Sequence, residues 1–161
     1  MSIVVSNTGP LIALCALDEL ELLPRLYGQI VIPDEVRLEL TAAPPSSMRF
    51  PFAETSTWLM VKNLSTSVDP LLSVVLDVGE AAVIQMARNI QADVVLIDER
   101  KGRKVARTVY NLRVMGTMRV LVDAKKKGLL ASVGSALTKI RQNGYWIHDD
   151  IVERALREAG E

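Results

Sequence analysis

Short apolar runs punctuate the chain, and between them apolar residues recur at helical spacing. Ile3-Val4-Val5 is a β-branched run stopped by Ser6-Asn7-Thr8-Gly9-Pro10. Pro10 suits the first turn of a helix, with Thr8 or Gly9 as its cap, and Leu11, Leu14 and Leu17 continue it at helical spacing. A helical piece over 19–26 ends at Tyr27-Gly28, and 29–32 reads as the next buried strand. Pro33-Asp34 opens a helix carrying Val36, Leu38 and Leu40, closed by Ala43-Pro44-Pro45-Ser46-Ser47. Residues 44–57 predict a surface loop with at most a helical turn, and 58–61 a short edge strand. After Asp69-Pro70 a helix is expected to about 77, and Gly79 separates it from a second with Val83, Met86, Ala87 and Ile90 on its apolar face.

Val94-Val95-Leu96-Ile97 is apolar throughout, short and β-branched, the pattern of a strand buried on both faces. Asp98 stands at its carboxyl end. A helix over 99–110, a brief strand at 112–115, and helices over 116–127, 132–142 and 149–159 complete the chain. Strands alternating with helices at this spacing predict an α/β fold of three layers, α/β/α, around a mainly parallel central sheet. Residues 131–161 read as a C-terminal helical extension packed on the domain formed by 1–130.

Composition narrows the function classes. With 161 residues, 49% hydrophobic and 24% charged, the chain is long enough for one domain with its own core. Lys plus Arg and Asp plus Glu number 19 each, so any nucleic-acid site must be a local basic patch. Cys15 lies among Leu11, Ile12, Leu14 and Leu17, as a buried, inert thiol would. The start lacks the basic region of a signal peptide, and no apolar run approaches the roughly 20 residues of a membrane span. These features lead us to expect a reducing cytoplasm and no membrane partner.

In open parallel sheets, functional groups collect beyond the carboxyl ends of the strands, which draws attention to Asn7 and Asp98. Glu80 begins a helix after Gly79, and Glu39 sits late in the helix that follows the second strand, with Glu35 one turn earlier as a competitor. A cleft gathering Glu39, Glu80 and Asp98 would repel itself unless a cation or proton compensated. That pattern suits Mg²⁺ or Mn²⁺ with oxygen ligands. Zinc is disfavoured, because Cys15 and His148 have no ligand partners at usable spacing. No glycine-rich phosphate loop occurs. Each residue also has a plainer role: Asp98 as an N-cap, Glu80 as a dipole-favoured surface residue, Glu39 as an exposed helix residue, and Asn7 as a turn residue bonding nearby amides. After Asp98 the run ERKGRKVAR places Arg100, Arg103 and Arg107 near one helix face, as a phosphodiester substrate would require; a solvated face is the plain alternative.

Taken in order, SNTGPLIAL, IPDEVRLEL, GEAAVIQMA, LIDERKGRKVAR and GTMRVLVDAKKKGLL resemble a PIN domain, in particular the PIN-like subfamily of uncharacterised, predicted nucleic-acid-binding bacterial and archaeal proteins. The resemblance extends from residue 2 to about 130. It implies a Mg²⁺- or Mn²⁺-dependent ribonuclease related to toxins that a small antitoxin protein restrains, and it implies a homodimer. Carried over by position, it puts Asn7 where the family has its first-strand acid, and Glu39, Glu80 and Asp98 at the other three acids. Those three are the implied metal ligands. Thr8 matches a hydroxyl that follows the first acid and, with Arg100, Arg103 and Arg107, would meet the substrate. Asn7 departs from the pattern, so a weakened or inactive RNA- or protein-binding module of the same fold is the alternative.

Overall fold

Val4, Val5 and Ser6 are fully buried, as a strand flanked on both edges and covered on both faces must be. The computed structural model of the chain describes residues 2–42 and 49–161. Its elements are β1 (Val4–Ser6), α1 (Thr8–Ala16), α2 (Leu22–Tyr27), β2 (Ile30–Pro33), α3 (Asp34–Thr41), α4 (Phe52–Thr55), β3 (Leu59–Lys62), α5 (Pro70–Val75), α6 (Val78–Asn89), β4 (Val94–Leu96), α7 (Arg100–Thr108), β5 (Val114–Met115), α8 (Thr117–Lys126), α9 (Val133–Gln142) and α10 (Asp149–Glu158). The closing signal read at 43–47 and the first part of the 44–57 loop lie outside the described residues.

The five strands form one parallel sheet in the order β3-β2-β1-β4-β5. Val4 pairs with Ile30 on one side and Val94 on the other, and Ser6 pairs with Leu96. The edge strand expected at 58–61 is β3, buried only at Leu59. Helix α6 lies across β1, β2 and β4, with α3, α5 and α7 beside it. Every residue from Gly79 to Ala87 is therefore buried. On the other side α8 packs against α1 and α2, so the architecture is three-layer α/β/α. Helices α9 and α10 pack on α8 and on each other.

Several local expectations shift. Helix α1 begins at Thr8 with Asn7 in the N-cap position, not Thr8 or Gly9. Gly79 does not separate two helices; it is inside the first turn of α6, whose cap is Asp77. Glu99, not Asp98, caps α7 through Gly102 N (3.3 Å). Cys15 is half-buried rather than buried, and that burial raises its pKa.

The segment that follows α10 is fastened by Glu161. Val133 N (2.7 Å), Gly134 N (3.2 Å) and Ser132 Oγ (2.9 Å) all donate to the Glu161 carboxylate at the start of α9, where amides and helix dipole favour negative charge. These bonds, the Val133 amide first, hold the Glu161 pKa below its ordinary value. A depressed folded pKa means that stabilisation is present above the ordinary carboxylate range and is lost as pH falls through the folded value. Glu161→Gln is therefore expected to lower the thermal midpoint at pH 7 and to converge with wild type as pH approaches 3, followed by circular dichroism; curves that stay parallel would remove this fastening.

Candidate functional site

The strand order reverses at β1. From it the chain winds through β2 and β3 to one side, while β4 and β5 lie on the other. In such sheets a crevice opens beyond the carboxyl ends of the strands flanking the reversal. Asn7 follows β1 directly, and its amide donates to Leu96 O at 2.9 Å, so it is pinned to β4. Asp98 lies two residues past β4, and a Cβ added to Gly9 would stand 3.7 Å from Asp98 Oδ2. The start of α1 and Asp98 are thus adjacent.

Asn7 is 7% exposed. Its side chain caps no amide of α1, and its Oδ1 is buried without a hydrogen-bond donor among the described residues. Leaving such an acceptor unpaired costs about 1–3 kcal/mol. Turn chemistry does not account for it.

Glu39 reaches the same edge from α3. It accepts from Thr8 Oγ1 at 2.6 Å and lies against Gly79, where any Cβ would collide with the Glu39 carboxylate. Thr8 and Gly79 meet Glu39, not Glu35. Glu80 is buried in the first turn of α6. A reciprocal capping box holds it: Glu80 N donates to Asp77 Oδ1 (2.8 Å) and Asp77 N to Glu80 Oε2 (3.4 Å). Burial above all pushes the Glu80 pKa up to about 8, helped by a hydrogen bond to Glu99 and by the charges of Asp77 and Glu99. The same bond lowers the Glu99 pKa. Two carboxylates at close range here share one proton.

Asp98 is exposed, yet both its oxygens are engaged. Thr117 N donates to Oδ1 (2.7 Å) and Thr117 Oγ1 to Oδ2 (2.6 Å). Asp98 therefore serves the first turn of α8 instead of the helix that follows it in sequence. Arg103 crosses the same gap, donating from Nη1 to Ile97 O at 2.8 Å. A Cβ on Gly116 would fall 2.7 Å from Arg103 Nη1 and 2.9 Å from Asp98 Oδ1, and one on Gly102 3.3 Å from Glu80 Oε1. Gly79, Gly102 and Gly116 each leave room for an acid of this edge, whereas a Cβ at Gly9 would make only ordinary contact with Asp98. Of the basic run, Arg100 is exposed, Arg103 is half-buried at Ile97, and Arg107 donates weakly to Val114 O (3.4 Å).

The structure thus brings Asn7, Thr8, Glu39, Glu80, Asp98 and Arg103 to one sheet edge. Thr117, Glu99, Gly102 and Gly116 were not singled out from the sequence, and Gly9 and Gly79 only as a cap candidate and a helix break. Asp77-x-x-Glu80 is a capping-box signal that was open to reading; the Asp98 to Thr117 bonds join distant segments and had none. The donors are hard oxygens, and Asn7 Oδ1 is an acceptor awaiting a donor or cation, so the set fits Mg²⁺ or Mn²⁺. Among the described residues no three of His, Cys, Asp and Glu are placed to hold a metal ion by themselves. Such a site matches the habit of Mg²⁺ of keeping several waters and using one or two carboxylates with substrate phosphates.

Because the folded pKa of Glu80 lies above its unfolded value, the folded state binds the extra proton between about 4.5 and about 8. The stability this confers is present below that window and lost as pH rises through about 8. Glu80→Gln, which keeps a neutral side chain, is expected to match wild type near pH 5 and exceed its thermal midpoint at pH 9 in metal-free buffer. Superimposable pH profiles would refute the shared proton.

Compared with known protein families, residues 3–161 match the PIN domain. Searches of the curated proteins and of the solved structures found no match. The family match takes in the sheet, the acidic edge and helices α9 and α10, and the chain belongs to the PIN-domain family.

Proposed function

We propose that the chain is a Mg²⁺- or Mn²⁺-dependent ribonuclease of PIN type. The observation that carries this reading is the buried Asn7 Oδ1, without a donor among the described residues, at the reversal of the sheet, on the same edge that Glu39 reaches through Thr8 and Gly79, and Asp98 beside Gly9. A nuclease-type fold is what the family provides. Asp98 and Glu80 would hold the cation, with Glu39 as ligand or base. When bound, the cation supplies charge neutralisation at a phosphate and a more acidic water. Thr117 keeps the Asp98 carboxylate oriented, and Thr8 does the same for Glu39. Arg103 sets a positive charge beside Asp98, where a phosphodiester would lie. Arg100 and Arg107 extend that charge along α7.

One observation favours a second reading, an RNA- or protein-binding module: Asn7 brings no charge to a site where each carboxylate adds cation affinity. A toxin's partnership with a small antitoxin protein, and a homodimer, belong to the first reading. Val74 and Val78, both largely exposed beside the first turn of α6, support a partner surface there, and edge strand β3 with exposed Met60 and Val61 supports self-pairing. Among the described residues no helix is long and apolar enough to cross a membrane, and the reading places the chain in the cytoplasm.

Purified chain incubated with single-stranded RNA and Mn²⁺ is expected to cut it. Asp98→Asn, which keeps an acceptor for Thr117 N, should slow cleavage more than about 100-fold, the upper end for groups one step removed from a metal; equal cleavage by both proteins would assign the activity to a contaminant. Asn7→Asp restores the missing charge. It should tighten Mn²⁺ binding in calorimetry about tenfold or more, worth about 1.4 kcal/mol, and lower the metal-free thermal midpoint by adding an uncompensated buried carboxylate. Unchanged affinity would count against a cation at this edge.

A further inference from the structure

Aromatic residues make up 4% of the chain, yet Tyr145 and Trp146 stand side by side in the loop joining α9 to α10. Trp146 is 82% exposed. Its ring meets His148 edge-on, with centroids 5.5 Å apart and planes at 85°. With Arg141 and Ile147 these side chains line an open cavity of about 460 Å³, within the range of small-ligand pockets.

The loop is pinned in place. Arg141 Nη2 donates to Ile147 O (2.9 Å) and to Asp149 Oδ1 (2.6 Å), and Gly144 supplies the left-handed turn at φ +88°. Asn143 Nδ2 donates to Ala16 O at 3.5 Å, tying the loop to the end of α1 whose first residues stand at the acidic edge. The nine residues of α1 span about 13 Å at 1.5 Å each, a distance that a single strand of a few nucleotides covers. Burial first, then the charges of Asp98 and Cys15, raise the Tyr145 pKa.

Charge decides what the cavity takes. Arg141 is paired with Asp149, and Asp150 lies 3.5 Å from His148 Nδ1. No free cation remains among the lining residues to hold a phosphate. Exposed aromatic faces without net charge suit the planar face of a base, and such stacking is indifferent to sequence. We propose that this loop is a stacking platform for a base of single-stranded RNA threaded past the acidic edge, with Trp146 and Tyr145 as its faces; the inference rests on the ribonuclease reading above.

Trp146 is its own reporter, since Trp58 is only 6% exposed. Titrating the full chain with a uridine RNA hexamer, with EDTA present to prevent cleavage, is expected to quench Trp146 fluorescence saturably, whereas an abasic hexamer of the same charge leaves it unchanged. Trp146→Ala should weaken hexamer binding about tenfold, within the range for one stacked base, and Trp146→Phe should recover most of it. Equal affinity of wild type and Trp146→Ala, with cleavage still abolished by Asp98→Asn, overturns the platform and leaves the ribonuclease reading standing. Absence of both RNA binding and cleavage overturns both. Trp146 emission that shifts with protein concentration alone puts a second copy of the chain in the cavity and overturns the platform as well.

Discussion

The parallel pairing of β1 with β4 is the constraint on which the rest of the acidic edge depends. It sets Ser6 against Leu96 and lets the Asn7 amide bond Leu96 O, so the chain must leave both strands at the same level and on neighbouring tracks. Because β1 is also paired to β2, its departing helix is confined to the crevice where the sheet order reverses. Asp98 then has α1 on one side and the first turn of α8 on the other, and it bonds the latter. A carboxylate that the fold uses to start a helix is also one that cannot swing away from the crevice.

Around that crevice the energetic pattern is one of restrained conflict. Acidic groups are drawn close by helix starts, which favour negative charge individually, while their mutual repulsion is relieved by shared protons and hydroxyl donors. Glu80 keeps its proton because it is buried next to Asp77 and Glu99; Glu39 and Asp98 lie nearer solvent and take threonine hydroxyls instead. Glycines at 79, 102 and 116 remove the side chains that would otherwise wedge these groups apart. None of these contacts satisfies Asn7 Oδ1, which leaves a local cost at the start of α1. Unrelieved costs of this kind cluster where a protein binds something.

How much of this was legible along the chain varies with the range of the interaction. The buried strands at Val4 and Val94 and the amphipathic helices were readable because burial on one face or two writes a period into neighbouring residues. Asn7 and Asp98 stood out for a related reason, as polar residues ending apolar runs. Boundaries were less readable: Gly79 looks like a break and instead makes room for Glu39 inside a helix, which depends on α3 packing beside α6. The likeness of the chain to PIN domains was visible in the order of its strings, and the family match extends it through the last two helices.

What the sequence determined by itself is the set of local signals: strand and helix periods, caps, the neutral overall charge and the uncharged amide at position 7. Tertiary structure alone decided which of those residues meet. Thr8 with Glu39, Asp98 with Thr117 and Asn143 with Ala16 are joined across 31, 19 and 127 residues, and the burial that raises Glu80 exists only once α6 lies across the sheet. The physical reason is that side-chain periodicity is set by neighbours along the backbone, whereas hydrogen bonding, desolvation and charge repulsion at a site are set by neighbours in space, and these come together only when the strands have chosen their order.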